Sequence, residues 1–193
     1  MSRLALAALA GLALATASGA AAARTWTDPA GRVVFDAPDG WSVMEQRATN
    51  MTYVIVGTAD NECHVIAAQH PETATMTVDQ IINVGSNDAN YTDEAWVRIG
   101  ATMPMVFSAP PQLVSKREDA NAGWPLQLAQ LQGERLVHSA VQLRPGLDLF
   151  AFCQTYEGAD PVATYDALIR SIRTPNDQAL LAQATPAPAP APQ

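Results

Sequence analysis

Positive charge is scarce in this chain. Lysine occurs once, at Lys116, and Lys and Arg together number 11 against 19 Asp and Glu, for a formal net charge of −8. Phosphate backbones are held by a basic stripe, so nucleic acid is excluded as a partner class. The acidic balance also argues against docking on an anionic membrane surface. Cysteine occurs only at positions 63 and 153, without C-x-x-C spacing, and G-x-S-x-G is absent. Local redox and nucleophile-elbow chemistry therefore lack their motifs. After residue 23 no apolar run is long enough to cross a bilayer. With 193 residues, 48% of them hydrophobic, the chain suits one globular domain rather than a collagen, a coiled coil or a wholly disordered protein.

The two ends differ from the middle. Met1-Ser2-Arg3 is followed by an unbroken Leu/Ala/Gly run from Leu4 to Ala15, and then by small residues through Ala23. This is the three-part layout of a secretory signal peptide with an A-x-A site at Ala21–Ala23; an uncleaved anchor is the alternative. No Cys follows the site, so a lipoprotein is excluded, and the expectation is an exported soluble protein, periplasmic or secreted, with no stable membrane insertion after cleavage. From Thr174 the chain reads TPNDQALLAQATPAPAPAPQ. Alternating Pro and Ala favour extended polyproline-type chain, so residues 174–193 are expected to form a disordered tail, dispensable for folding: a spacer, a proline-motif ligand or a solvated end.

Between them, residues 24–173 read as a single domain. Thr25–Thr27 and Arg32–Phe35 flank the turn cluster Asp28-Pro29-Ala30-Gly31, predicting a hairpin. A short strand follows Pro38-Asp39-Gly40, and Thr52–Thr58 with Cys63–Gln69 predict a second hairpin. Thr77 and Thr92 are expected N-caps of two helices, the second carrying Ala95, Trp96, Ile99 and Met103 at helical spacing before Pro104. Strands resume over Leu113–Glu118, Trp124–Gln132, Leu136–Arg144 and Leu147–Tyr156, with Gly133 and Pro145-Gly146 in the turns. The last strand is apolar on both faces and is expected to be central. Asp160 is the expected cap and Pro161 the first turn of a final helix with a stripe of Tyr165, Leu168, Ile169 and Ile172. The fold class is α+β, an antiparallel sheet covered by helices.

The strand pair followed by Pro38-Asp39-Gly40-Trp41, with the late meander closed by Tyr165–Arg173, resembles the PsbP/Mog1-like superfamily over about 130 residues. The resemblance implies an α/β/α sandwich and an accessory or protein-interaction role. It transfers no catalytic residue, and the bacterial-type leader does not support a photosynthetic partner.

In an exported chain Cys63 and Cys153 are expected to form a disulfide, with free buried thiols as the alternative. His64, His70 and His138 are the only histidines; His64 and His138 meeting across the sheet is the one metal-site geometry open to them, and no metal or cofactor is expected. Lys116-Arg117-Glu118-Asp119 reads as a solvated strand end, and Asp93-Glu94 as charge at a helix start. Three functions stay open: a non-enzymatic envelope module that binds an unidentified protein; a small-ligand binder whose cleft between sheet and helices uses Tyr91, Trp96 and Trp124; and an enzyme with a non-local site.

Overall fold

A computed structural model describes residues 23–47 and 49–184. The expected signal peptide, apart from Ala23, lies outside the described residues, as does most of the Pro-Ala tract, residues 185–193. Strands β1 (Arg24–Thr27) and β2 (Val34–Ala37) pair around the opening turn. Asp28 holds that turn together: its carboxylate accepts the backbone N–H groups of Ala30 and Arg32 and, at 2.6 Å, the hydroxyl of Thr52. Next come β3 (Ser42–Arg47), β4 (Met51–Gly57) and β5 (Asn61–Gln69), then helices α1 (Val78–Gly85) and α2 (Asp93–Ala101). A meander of β6 (Gln112–Asn121), β7 (Trp124–Gln132), β8 (Leu136–Arg144) and β9 (Leu147–Thr155) leads to α3 (Val162–Ser171) and α4 (Asp177–Leu181).

The strands from β3 onward form one antiparallel sheet in the order β3-β4-β5-β9-β8-β7-β6. Local hairpins build each half, and the β5–β9 pairing joins them. Cys63 and Cys153 stand directly opposite each other in that seam and are bonded. As the double-sided apolar pattern predicts, β9 is central, and its residues alternate between two cores. Leu147, Leu149, Ala151 and Cys153 enter one core with Val54, Val65, Phe35 and the stripe of α3; Phe152, backed by Phe150, enters the other with Ile66, Leu131 and Trp96. The molecule is thus an α/β/α sandwich, with β1–β2 and α3 on one face of the sheet and α1 and α2 on the other.

Local chemistry accounts for the helix starts. Thr77 and Gln80 form a reciprocal capping box at α1, and Thr92 caps α2 through the Ala95 N–H. The stripe Tyr165, Leu168, Ile169 and Ile172 is buried throughout. Leu168 is 1% exposed, so Leu168→Ala is expected to cost about 2–5 kcal/mol through lost contacts and a cavity, read by urea denaturation.

Four expectations are corrected. Asp160 does not cap α3: Pro161 holds the cap position with no side-chain bond, and the Asp160 carboxylate turns to His138 Nε2 at 3.1 Å. Gly133 is not placed for a left-handed turn; a Cβ there would meet the Phe107 ring at 2.9 Å, so the position needs room rather than φ freedom. Lys116 is not simply solvated: its ammonium reaches Asp93 at 2.7 Å and the Tyr91 carbonyl at 3.1 Å, tying β6 to the start of α2. Finally, the extended tail does not begin at Thr174. Helix α4 follows it, with Leu180 and Leu181 packed near Trp124 and Asp177 buried against Arg144. A short apolar pair plus one buried carboxylate suffices to dock a segment whose composition reads as tail.

Candidate binding groove

An apolar groove of about 320 Å³ opens on the α2 face of the sheet, beside the helices rather than beneath them. Its floor is Tyr53 of β4, Ile66 of β5 and Phe150 and Phe152 of β9. Strand alternation makes this floor: in the register, Tyr53 stands beside Ile66 and Ile66 beside Phe150, so their side chains line up across three strands on one face. The wall is Met103-Pro104-Met105, in the connection from α2 to β6, and Met51 and Ala68 close one end. Phe107 pins this connection by burying its ring edge-on to Phe152, in the space that Gly133 leaves. Pro104 stops α2 from continuing over the sheet, which leaves the β4–β5 half of the face uncovered. Met105 is 61% exposed and Met51 38%. Exposed apolar side chains around a preformed depression make this groove a candidate interaction site, and methionine, unbranched and polarizable, adapts to the shape of what it meets.

A hydrogen-bonded chain supports the floor. The Tyr53 hydroxyl donates to His64 Nδ1, and His64 Nε2–H donates to Glu62 at 2.8 Å; both contacts are satisfied when the proton is on Nε2. Tyr156 and Gln154 donate to the same Glu62 oxygen. Burial alone would raise the Glu62 carboxyl, but the bonds from Tyr156, His64 and Gln154 outweigh it and hold it below the usual glutamate range. Burial, and then the Glu62 charge, push the Tyr53 phenol up to about 12. The phenol therefore keeps its proton at neutral pH and holds its place in the floor as the donor to His64. Because Glu62 is lowered in the folded chain, the unfolded chain takes up its proton first as pH falls. Its stabilisation is present above the ordinary glutamate value and is lost through the lowered folded value. Glu62→Gln is expected to make urea stability flatter against pH on the acid side, by the share of one carboxylate.

The residues singled out by sequence separate. Tyr91, Trp96 and Trp124 are buried in the cores, Trp96 and Trp124 fully, and do not line the groove. The expected aromatic cleft is therefore corrected: the bulk of these rings is spent on packing. His64 lies across from Phe152 and His138 across from Cys153, so the two histidines face opposite sides of the sheet and cannot share a metal. Among the described residues no three His, Cys, Asp or Glu side chains are grouped to hold a metal ion. Asp93 and Glu94 sit in the first turn of α2. A second cleft, about 230 Å³, runs between α3 and β6–β8 beside His138. Its Arg117 is already within 3.6 Å of Asp119 and 3.8 Å of Asp166, and its Ser115 hydroxyl donates to Gln130. Among the described residues no helix is long and apolar enough to cross a membrane. Sequence reading missed the Tyr53–His64–Glu62 chain, although Glu62 and His64, two apart on a strand, carried a usable same-face signal.

With this geometry established, comparison decides the fold. The solution structure of cyanobacterial PsbP (CyanoP) from Synechocystis sp. PCC 6803 is similar, with a TM-score of 0.51 and 17% identity, over 82% of this chain and 95% of that one. The chain has the PsbP-like fold. A crystal structure from Bacteroides thetaiotaomicron VPI-5482 gives a TM-score of 0.45 at 8% identity, over 81% of this chain and half of that one. The PA94 protein of unknown function from Pseudomonas aeruginosa, described as a putative regulator, gives 0.34 at 11% identity, over 87% and 99%. No family model and no curated protein matches the sequence.

Proposed function

We propose that this is a non-enzymatic accessory module of the cell envelope or extracellular space that docks an extended apolar segment of a partner protein in the groove. The observation that carries this reading is the exposed methionine wall over an aromatic floor. The PsbP-like fold is compatible with an accessory role, as an analogy of fold. Export is supported by the signal-like leader and by the buried Cys63–Cys153 bond, which suits an oxidising compartment.

The test places a photocrosslinking residue at position 105, with position 162, exposed on the opposite side of the sheet, as the control. In envelope and secreted fractions of the source cells, position 105 is expected to give a discrete adduct with another protein that Ala68→Glu removes. Identical adducts from positions 105 and 162 would show that the groove docks nothing.

A further inference from the structure

Sulfur is concentrated at this groove. Both cysteines are closed in the buried Cys63–Cys153 bond, so methionine thioethers are the sulfur donors that remain. Five methionines follow residue 23: Met44, Met51, Met76, Met103 and Met105. Three of them, Met51, Met103 and Met105, line the groove. An apolar wall does not require this, because leucine supplies similar apolar volume without sulfur. Nor does core packing: Met51 is 38% and Met105 61% exposed.

The backbone holds all three in place. The Met103 carbonyl accepts the N–H groups of Val106 and Phe107, both at 2.9 Å, which closes a tight turn carrying Met103 and Met105 on the wall. The buried Phe107 ring, edge-on to Phe152, anchors that turn to the sheet. Met51 closes the end of the groove from the first position of β4. On one side of it the Asn50 carbonyl accepts the Gln69 N–H at 3.0 Å, and on the other the Thr52 hydroxyl donates to Asp28 at 2.6 Å. In a groove of about 320 Å³, unbranched side chains with three rotatable bonds each can turn their sulfurs toward one point while the backbone stays where it is.

Thioethers are soft, neutral donors and suit Cu(I), whereas harder divalent ions are bound by imidazole, carboxylate and water. No carboxylate, imidazole or amine lines the groove, so Zn²⁺, Mn²⁺ and Mg²⁺ find no ligand side chain there. Tyr53 offers no phenolate, since its hydroxyl donates to His64. The rings of Phe150 and Phe152, 12° from parallel, floor the site, and an aromatic face attracts a cation through its quadrupole. Such a donor set also fits an oxidising compartment, where free thiols are lost to disulfides. We infer that Met51, Met103 and Met105 form a three-thioether binding site for Cu(I), backed by the aromatic floor. The inference goes beyond the docking reading and does not rest on it: docking needs apolar surface, and the ion needs sulfur.

Ag(I), a monovalent ion of the same softness that undergoes no redox change, is the first probe, followed by Cu(I) kept reduced under ascorbate without oxygen. With methionine methyl groups labelled for nuclear magnetic resonance, the signals of Met51, Met103 and Met105 are expected to shift together and to stop at one ion per chain. Met44, 52% exposed but outside the groove, and Met76 are expected not to move. Met51→Leu, Met103→Leu and Met105→Leu keep the wall apolar, and an unchanged melting transition confirms that each variant folds. Each is expected to weaken Cu(I) binding about tenfold or more in competition with a chromophoric chelator. Retention of Cu(I) by the chain carrying all three changes overturns the inference. So does an affinity unchanged in any single variant, or movement of Met44 and Met76 alongside the rest, the sign of isolated thioethers binding one by one. If Cu(I) is not bound while position 105 still crosslinks to a partner, the docking reading stands and only this inference falls. If Cu(I) is bound while positions 105 and 162 give identical adducts, the reverse holds.

Discussion

Asp177→Ala is expected to lower stability by about 3–5 kcal/mol, a loss usually reserved for the middle of a core, although Asp177 lies beyond the last long helix. The reason is the company that Arg144 keeps. Its side chain is 1% exposed. Two of its nitrogens meet the Asp177 carboxylate, one more bond goes to the Leu143 carbonyl and another to Gln142, and the guanidinium lies 4.2 Å from the centre of the Trp124 ring. Burial pulls the Arg144 guanidinium below its usual range, and the bond to Asp177 and its charge pull the other way. Removing Asp177 leaves a buried cation with no counter-charge, and also frees α4, so Leu180 and Leu181 lose their packing. At roughly 2–4 °C per kcal/mol for a domain of this size, the melting temperature is expected to drop by about 6–20 °C. Ending the chain at Arg173 is expected to do the same, contrary to the sequence expectation for that segment. The double variant Arg144→Met with Asp177→Leu discriminates: with no charge left to desolvate it is expected to regain most of the loss. If Asp177→Ala instead melts with the wild type, α4 is not docked in solution.

The sequence made the sheet readable because its strands are built by local hairpins with clear turn chemistry. Gly146, at φ +73°, is where a type II turn after Pro145 requires it. Double-sided hydrophobicity placed β9 at the centre, since such a strand has no solvent face. The helix caps Thr77 and Thr92 were legible for the same local reason. What failed depended on distant residues. Asp160 has the composition of a cap, yet His138, 22 positions away in sequence, takes its carboxylate. Asp177 has the composition of a tail, and only the burial of Arg144 gives it a role. The groove was hidden because its floor combines three strands through a register that no local pattern prints, and because exposed methionines in a sequence look like core. The three aromatics chosen for a cleft were the reverse case: large rings are used first to fill volume, and Trp96 and Trp124 were consumed by two separate buried clusters, Trp124 by the one it forms with Val78 and Ile81 of α1.

Breaking the bond between Cys63 and Cys153 is the other change with a large expected effect. The two residues are 90 apart in sequence, so the bond closes a long loop in the unfolded chain, and the chain-entropy argument gives about 4–5 kcal/mol. Where it sits matters as well. Both side chains are fully buried, and they join β5 to β9, the pairing that connects two halves otherwise built by local hairpins. Nine residue pairs hold that seam without the bond, so reduction is expected to weaken the fold rather than abolish it. The expected signature is a melting temperature lower by about 8–20 °C in reductant, with an unchanged far-ultraviolet circular dichroism spectrum. The double variant Cys63→Ala with Cys153→Ala should match it, less the small loss from two missing sulfurs in the core. Thiol counting on the denatured, unreduced protein is expected to find none, and two thiols per chain would refute the bond. The same comparison bears on where the protein resides. Chain made in a reducing cytosol should melt at the lower temperature and rise to the higher one on oxidation, because the opposed cysteines need no rearrangement to join. A protein that depends on this bond for a large share of its stability is suited to a compartment that keeps it oxidised.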